Sequence, residues 1–393
     1  MSPHRLTLLP LALLFACSTV EKGSPTDPWQ DEAFVERAHE AVEQYVHVVI
    51  ASYDATIVGA EALGAAVDAF VAAPSADTLD AAKKAWLAAR DIYGQTEVYR
   101  FYGGPIDVEP GGLEGQINSW PMDEAYIDYV DGDPDAGIIN DLVGYPTLSA
   151  DLLLDLNTKA GEDSISTGWH AIEFLLWGQD LSADGPGARP WTDYTTGADG
   201  TAANQDRRGQ YLTIVTDQLV ADLKSVRAGW DEGAAYHESF EHGDAKAALT
   251  KVLLGMGSLS GAELSGERLS VAYDTKDQED EHSCFSDNTH NDFIANALGI
   301  ENVYLGRWGD STGSSLSDLV KELDEELDTT LREQLRATNA AMAAIPAPFD
   351  QAIAAAEGTP QREAVADAIA ALKTQTQTIV EVATLLDISL NLE

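Results

Sequence analysis

Basic side chains are scarce in this chain. Its 393 residues hold 23 lysines and arginines against 66 aspartates and glutamates, a formal net charge of −43. Such a field repels phosphate backbones and anionic lipid, which excludes nucleic acid as a partner and favours cations or basic proteins. Most of that acidity belongs to a solvated surface, so only a few carboxylates need carry chemistry. Cysteine is scarcer still, at two residues. Cys17 closes an N-terminal leader, so Cys284 has no partner in the mature chain, and stability must come from packing without disulfides. His282, Cys284 and His290 show none of the familiar zinc spacings, and Cys284 reads as a small buried hydrophobe. Also missing are period-two apolar alternation, a G-x-S-x-G elbow, a phosphate loop and a dinucleotide fingerprint. The first absence argues against strands of any length. The others remove the commonest hydrolase and nucleotide chemistries.

What is present builds helices. Apolar residues make up 45% of the chain, enough for a large core. Residues 1–17 read as a lipoprotein signal: His4 and Arg5 precede a short apolar run that ends Leu14-Phe15-Ala16-Cys17, where the cysteine would carry the lipid. Residues 18–30, with Gly23, Pro25 and Pro28, read as a flexible tether. Beyond them apolar positions recur at three- and four-residue steps. These predict helices over 31–73, 78–102, 123–130, 135–143, 148–159, 164–177, 205–230, 244–274, 291–298, 315–344 and 361–387. Pro74 ends the first, and Ser75 or Asp77 caps the next. The fold is therefore predicted to be all-α. The Gly- and Pro-rich stretch 178–206 is the best boundary. Long helix, second helix and polar loop recur on either side of it: aligning Glu97 with Glu263 sets Ala81 beside Ala247 and the Asp123 loop beside that of His290. This predicts two helical-bundle halves, 31–195 and 196–393, related by internal duplication.

The chemistry centres on Gly168-Trp169-His170-Ala171-Ile172-Glu173. A histidine and a glutamate three apart project from one helix face and can converge on a cation. Trp169, Ile172, Phe174, Leu175 and Trp177 flank them, so both groups need partners if buried. The same spacing also fits an imidazole hydrogen-bonded inside a helical core. Candidate partners are Glu97, carried with Arg100 on the second helix, and Glu263 and Glu267. Small residues precede that last pair, among them Gly255, Gly257, Ser260 and Gly261, and would admit a close neighbour. A solvated acidic face paired with Arg268 and Lys276 would read the same way. The polar loops add His282, Asp287 and His290.

Gly168-x-His170-x-x-Glu173 resembles the G-x-H-x-x-E signature of the imelysin family, also grouped as M75 peptidases and as iron-regulated proteins. Tyr99-Arg100-Phe101-Tyr102-Gly103-Gly104-Pro105-Ile106-Asp107, Ile117-Asn118-Ser119-Trp120-Pro121, Ser258-Leu259-Ser260-Gly261-Ala262-Glu263-Leu264 and Asp287-Asn288-Thr289-His290 are similar to blocks of that family. The resemblance implies two related helical bundles, a site near their junction, an envelope location and a link to iron uptake. Its metal-site assignment carries over to His170 and Glu173 alone; Glu97, Glu263 and Glu267 are added on geometry. The peptidase label meets an obstacle. Zinc peptidases place two histidines and a glutamate on one helix as H-E-x-x-H, and inverted versions put histidine directly after the glutamate. Phe174 stands there. The expectation is thus an envelope lipoprotein that binds iron, or a small iron-bearing ligand, between two helical halves and passes it to an envelope transport partner. Zinc or copper would suit the same donors. The alternatives are a metal-dependent peptidase and a non-catalytic acidic docking protein.

Overall fold

The computed structural model describes residues 27–392 apart from 184. The leader, Cys17 and most of the tether lie outside the described residues. The chain opens on a 41-residue helix, α1 (Glu32–Ala72), with Asp31 as N-cap. Phe34, Ala38, Val42, Tyr45, Val49, Tyr53, Ala60, Leu63, Val67 and Phe70 form its buried stripe, as the three- and four-residue spacing requires. α2 (Ala76–Tyr93) starts in a capping box in which Ser75 and Thr78 satisfy each other's backbone. Then come α3 (Gly168–Trp177), α4 (Gln205–Ala228), α5 (Ala235–Glu241) and α6 (Ala245–Ser258). α7 (Thr289–Tyr304), α8 (Leu316–Leu323), α9 (Glu325–Ala344) and α10 (Pro360–Leu385) complete the set of labelled helices. α2 and α4 pack on α1, and α3 packs on both of them. The fold is all-α, with one two-residue strand pair, Arg307–Trp308 against Ser311–Thr312, among the described residues.

One core runs from Phe34 to Ile388 and holds Trp86, Trp169 and Trp230. A smaller cluster, including Leu264, Phe293, Met342, Phe349, Val365 and Leu372, joins the later helices. The stretch 178–206 is tied down firmly. Arg189 and Arg208 both donate to the buried Asp128 at 2.6 Å, and the Gly187 amide donates to the Phe285 carbonyl at 2.9 Å.

Four local departures from the periodicity have physical causes. α2 stops at Tyr93 and tightens into a 3-10 turn, Gly94–Tyr99. There Asn296 donates to the Gly94 carbonyl at 2.8 Å, and α7 crosses so near that a Cβ on Gly94 would lie 2.7 Å from Ala295. Residues 135–143 make turns where a helix was predicted, because the Ile138 and Ile139 amides donate to Tyr126 and Ile127. The predicted helix 315–344 breaks at Asp324, whose carboxylate caps α9 by accepting from the Glu326 and Leu327 amides. α6 passes into a π-helix, Leu259–Ser270, before a short α-turn, Val271–Thr275. Hydrogen bonds from residue to residue five places on rotate its side chains relative to an α-helix.

Candidate functional site

Gly168 places the signature helix. Its φ of +88° lies in the left-handed region, and a Cβ there would sit 2.5 Å from the Ile117 carbonyl oxygen. Only glycine lets α3 begin against the loop that carries Asn118 and Trp120. That contact points His170 and Glu173 inward, where they are 1% and 0% exposed. Trp120 packs on His170 with 4.9 Å between ring centroids, and His282 approaches the imidazole at the same separation.

Hydrogen bonds fix the pair. His170 Nδ1 lies 3.0 Å from Glu173 Oε2. Glu173 Oε1 accepts from the Ser286 amide at 2.9 Å and from its hydroxyl at 2.6 Å. Both glutamate oxygens are thus engaged, which makes Glu173 a brace behind the imidazole. Burial raises its carboxyl to about 8, although the Ser286 bonds and Arg90 pull the other way. Burial, then Arg90 and His282, holds His170 well below the ordinary imidazole range; burial, then Arg268 and Arg90, does the same to His282. Both rings are therefore uncharged, each with one lone pair.

Between them stands Arg90, 1% exposed. Its Nη2 donates to His282 Nδ1 at 3.2 Å and lies 3.5 Å from His170 Nε2. Its Nε donates to Asp292 Oδ1 at 3.0 Å, and its Nη1 donates to Asn118 Oδ1. Asn118 in turn donates to Glu97 Oε1 at 3.1 Å, and Arg100 and Arg268 donate to Glu97 Oε2 at 2.9 and 2.6 Å. Burial alone would raise Glu97, but Arg100 and Arg268 outweigh it and hold the carboxyl below the usual range. The π-helix brings Arg268 onto Glu263 at 2.7 Å, five residues apart, while Glu267 turns out to solvent.

This network reaches, through Asn118, Arg268 and His282, a cleft of about 420 Å³ lined by Arg100, Glu114, Asn118, Trp120, Glu263, Glu267, Arg268, Glu279, Asp280 and His282; His170, Glu173, Arg90 and Glu97 lie behind that lining. Five of the lining residues are carboxylates, so the mouth attracts cations. The structure thus joins His170 and Glu173 to Glu97 only through Arg90 and Asn118. Glu263 and Glu267 stand at the wall and rim. Asp287 and His290 are half-buried and do not line the cleft. Burial, with Asp180 and Asp350 nearby, raises Asp287 to about 7. Sequence reasoning missed the connecting role of Arg90, together with Asp292 and Ser286. For Arg90 a signal existed: Trp86, Arg90, Tyr93 and Glu97 share one helical stripe, and a charge inside an apolar stripe must be paired.

The family model for imelysin, labelled as peptidase M75, matches residues 49–379. The chain belongs to the imelysin family. Among similar proteins, the iron-regulated protein A of Synechococcus elongatus is 28% identical over 324 residues, which cover 79% of this chain and 76% of that protein. The crystal structure of a protein described as an iron-regulated protein A precursor, from Parabacteroides distasonis, matches with a TM-score of 0.70. It covers 93% of this chain and 97% of its own at 21% identity, a likeness of fold. The span matched to imelysin takes in Glu97, His170, Glu173, Glu263 and His282, so the cleft and the buried network behind it lie within the family's extent.

Proposed function

We propose that this imelysin-family protein binds iron, or a small iron-bearing ligand, at the floor of the acidic cleft, with His170 and His282 as its imidazole donors. The observation that carries the reading is the meeting of two buried, uncharged imidazoles at one guanidinium nitrogen. Arg90 supplies positive charge between the rings, and an entering cation would take over that place by displacing the planar guanidinium, whose Nε and Nη1 bonds to Asp292 and Asn118 must shift with it. Once ionised, Glu173 orients His170 by the carboxylate–histidine arrangement common around ligating imidazoles. Glu97 neutralises Arg100 and Arg268. Glu263 and Glu267, with Glu114 and Glu279, draw the cation inward. The names of the similar proteins, iron-regulated protein A, favour iron over the zinc or copper that the same donors would take. A lipid anchor at Cys17 and an envelope partner that receives the iron belong to this reading.

Calorimetric titration with ferrous, ferric, zinc and copper ions tests it. A His170→Ala/Glu173→Ala variant that binds iron as wild type does would sink the proposal. The same titration carries a pH signature. Below about pH 8 Glu173 keeps its proton. Its hydroxyl then faces His170 Nδ1 and sends the ring proton to Nε2. A cation on Nε2 needs the other tautomer, so binding must expel the Glu173 proton against the influence of Asp292, which favours retention, and with the help of Arg90 and the Ser286 bonds. Iron affinity should rise about tenfold per pH unit as pH climbs toward 8 and level off above it. Glu173→Gln should remove that slope.

A further inference from the structure

Far from the cleft in sequence, α5 and the residue after it carry His237, Glu238, Glu241 and His242. One donor atom from each of His237, Glu238 and His242 lies within 4.8 Å of the other two. The arrangement is more than a cluster of acids. His237 is 5% exposed, and its Nδ1 is buried with no hydrogen-bond partner among the described residues. Its other nitrogen, Nε2, lies 3.0 Å from Glu241 Oε2. A carboxylate at that position holds the ring proton on Nε2 and leaves a bare lone pair on Nδ1. That lone pair lies 3.7 Å from Glu238 Oε1, so a buried acceptor faces a carboxylate with no proton between them. A cation between the two atoms would satisfy the imidazole and share the Glu238 oxygen with the Gly233 amide.

We infer that His237, Glu238 and His242 form a second metal site, specific for a borderline divalent cation such as zinc, with Glu241 as the group that orients His237. Two imidazoles and one carboxylate are a three-ligand set that leaves a fourth position open. Rotation would close the donors to bonding distance: His242 is 57% exposed, and Glu238, 48% exposed, is held only by the bond its Oε1 accepts from the Gly233 amide at 3.0 Å, among the described residues. Glu36, His39, Glu40 and Glu43 of α1 flank His242 and Glu241 around a surface hollow, so the approach to the site is also negative. This site is independent of the iron-binding reading of the cleft.

The test is zinc titration of metal-free full-length protein in which His170→Ala/His282→Ala has removed the cleft donors. One equivalent should still bind. Adding His242→Ala or Glu238→Gln should weaken it at least tenfold. Both replace exposed side chains, and thermal melts would check that the fold survives. Glu241→Gln should cost roughly 10–100-fold in affinity through the lost orientation of His237. If the cleft variant does not fold, His242→Ala in the wild-type background should lower zinc stoichiometry by one equivalent. Unchanged affinity and stoichiometry in His242→Ala and Glu238→Gln, or no zinc bound by a folded cleft variant, would overturn the second site. Loss of iron binding in the cleft variant alone would bear on the cleft and leave this site standing.

Discussion

Arg90→Ala is expected to destabilise the protein by about 3–5 kcal/mol, the range for removing one partner of a buried ion pair. Arg90 and Asp292 are each 1% exposed, and among the described residues their 3.0 Å bond is the only one Arg90 makes to a carboxylate. Truncation would leave Asp292 charged in a site closed to water, with the Ser283 hydroxyl as its remaining close donor at 2.6 Å. Asn118 and His282 would each lose a donor as well. Urea unfolding reads the effect as a shift in midpoint at constant slope. An Arg90→Leu/Asp292→Leu double variant should recover much of the loss, because removing both charges abolishes the desolvation cost that a lone one suffers. A shift below about 1 kcal/mol in Arg90→Ala, the scale of an exposed pair, would mean that the pair is solvated. The same variant bears on the cleft: with the competing guanidinium gone, iron should bind His170 and His282 more tightly even as the fold weakens.

Gly168→Ala is expected to cost about 2–5 kcal/mol. The left-handed backbone at φ +88° contributes about 1–2 kcal/mol for any residue with a Cβ. Overpacking against the Ile117 and Gln116 carbonyls, at 2.5 and 2.7 Å from the added carbon, contributes about 1–3 kcal/mol more. Backbone oxygens cannot swing aside as a flexible side chain would, so relief must come from moving the start of α3. That motion carries His170 away from Trp120 and Arg90. Unfolding midpoint and near-ultraviolet circular dichroism of the Trp120 environment should change together. A variant of wild-type stability would show that the loop and helix separate freely, and that glycine in the G-x-H-x-x-E motif serves something other than close approach.

These two residues show where the sequence was legible. Helical stripes such as Phe34 to Phe70 were plain, because every core contact of α1 falls on one period. Gly168 could be read as part of a motif, but its reason lies in the Ile117 carbonyl, 51 residues away in the chain. Glu263 and Glu267 fit one α-helical face at four-residue spacing. The π-register instead pairs Glu263 with Arg268 and sends Glu267 outward, and no local pattern announces that register. The break at Asp324 was hidden because Leu319, Leu323 and Leu327 continue the stripe through it. α5 escaped notice for a different reason: at seven residues, with Ala234 as an N-cap that offers no side-chain bond, it has too little periodicity to register. His237 and His242 went unseen with it. Long-range pairing decided the cleft as well. Arg90 links residues from four separate stretches of chain, and its place in an apolar stripe told only that a partner must exist.

The central claim is that two imidazoles, from His170 and His282, hold iron at the cleft floor. X-ray absorption at the iron edge measures it most directly, on protein loaded with one equivalent in a His237→Ala/His242→Ala background that silences the second site. Two imidazole scatterers should be seen, falling to one in His282→Ala and to none when His170→Ala is added. Iron bound with no imidazole in its shell, or with the same shell in all three proteins, would contradict the assignment.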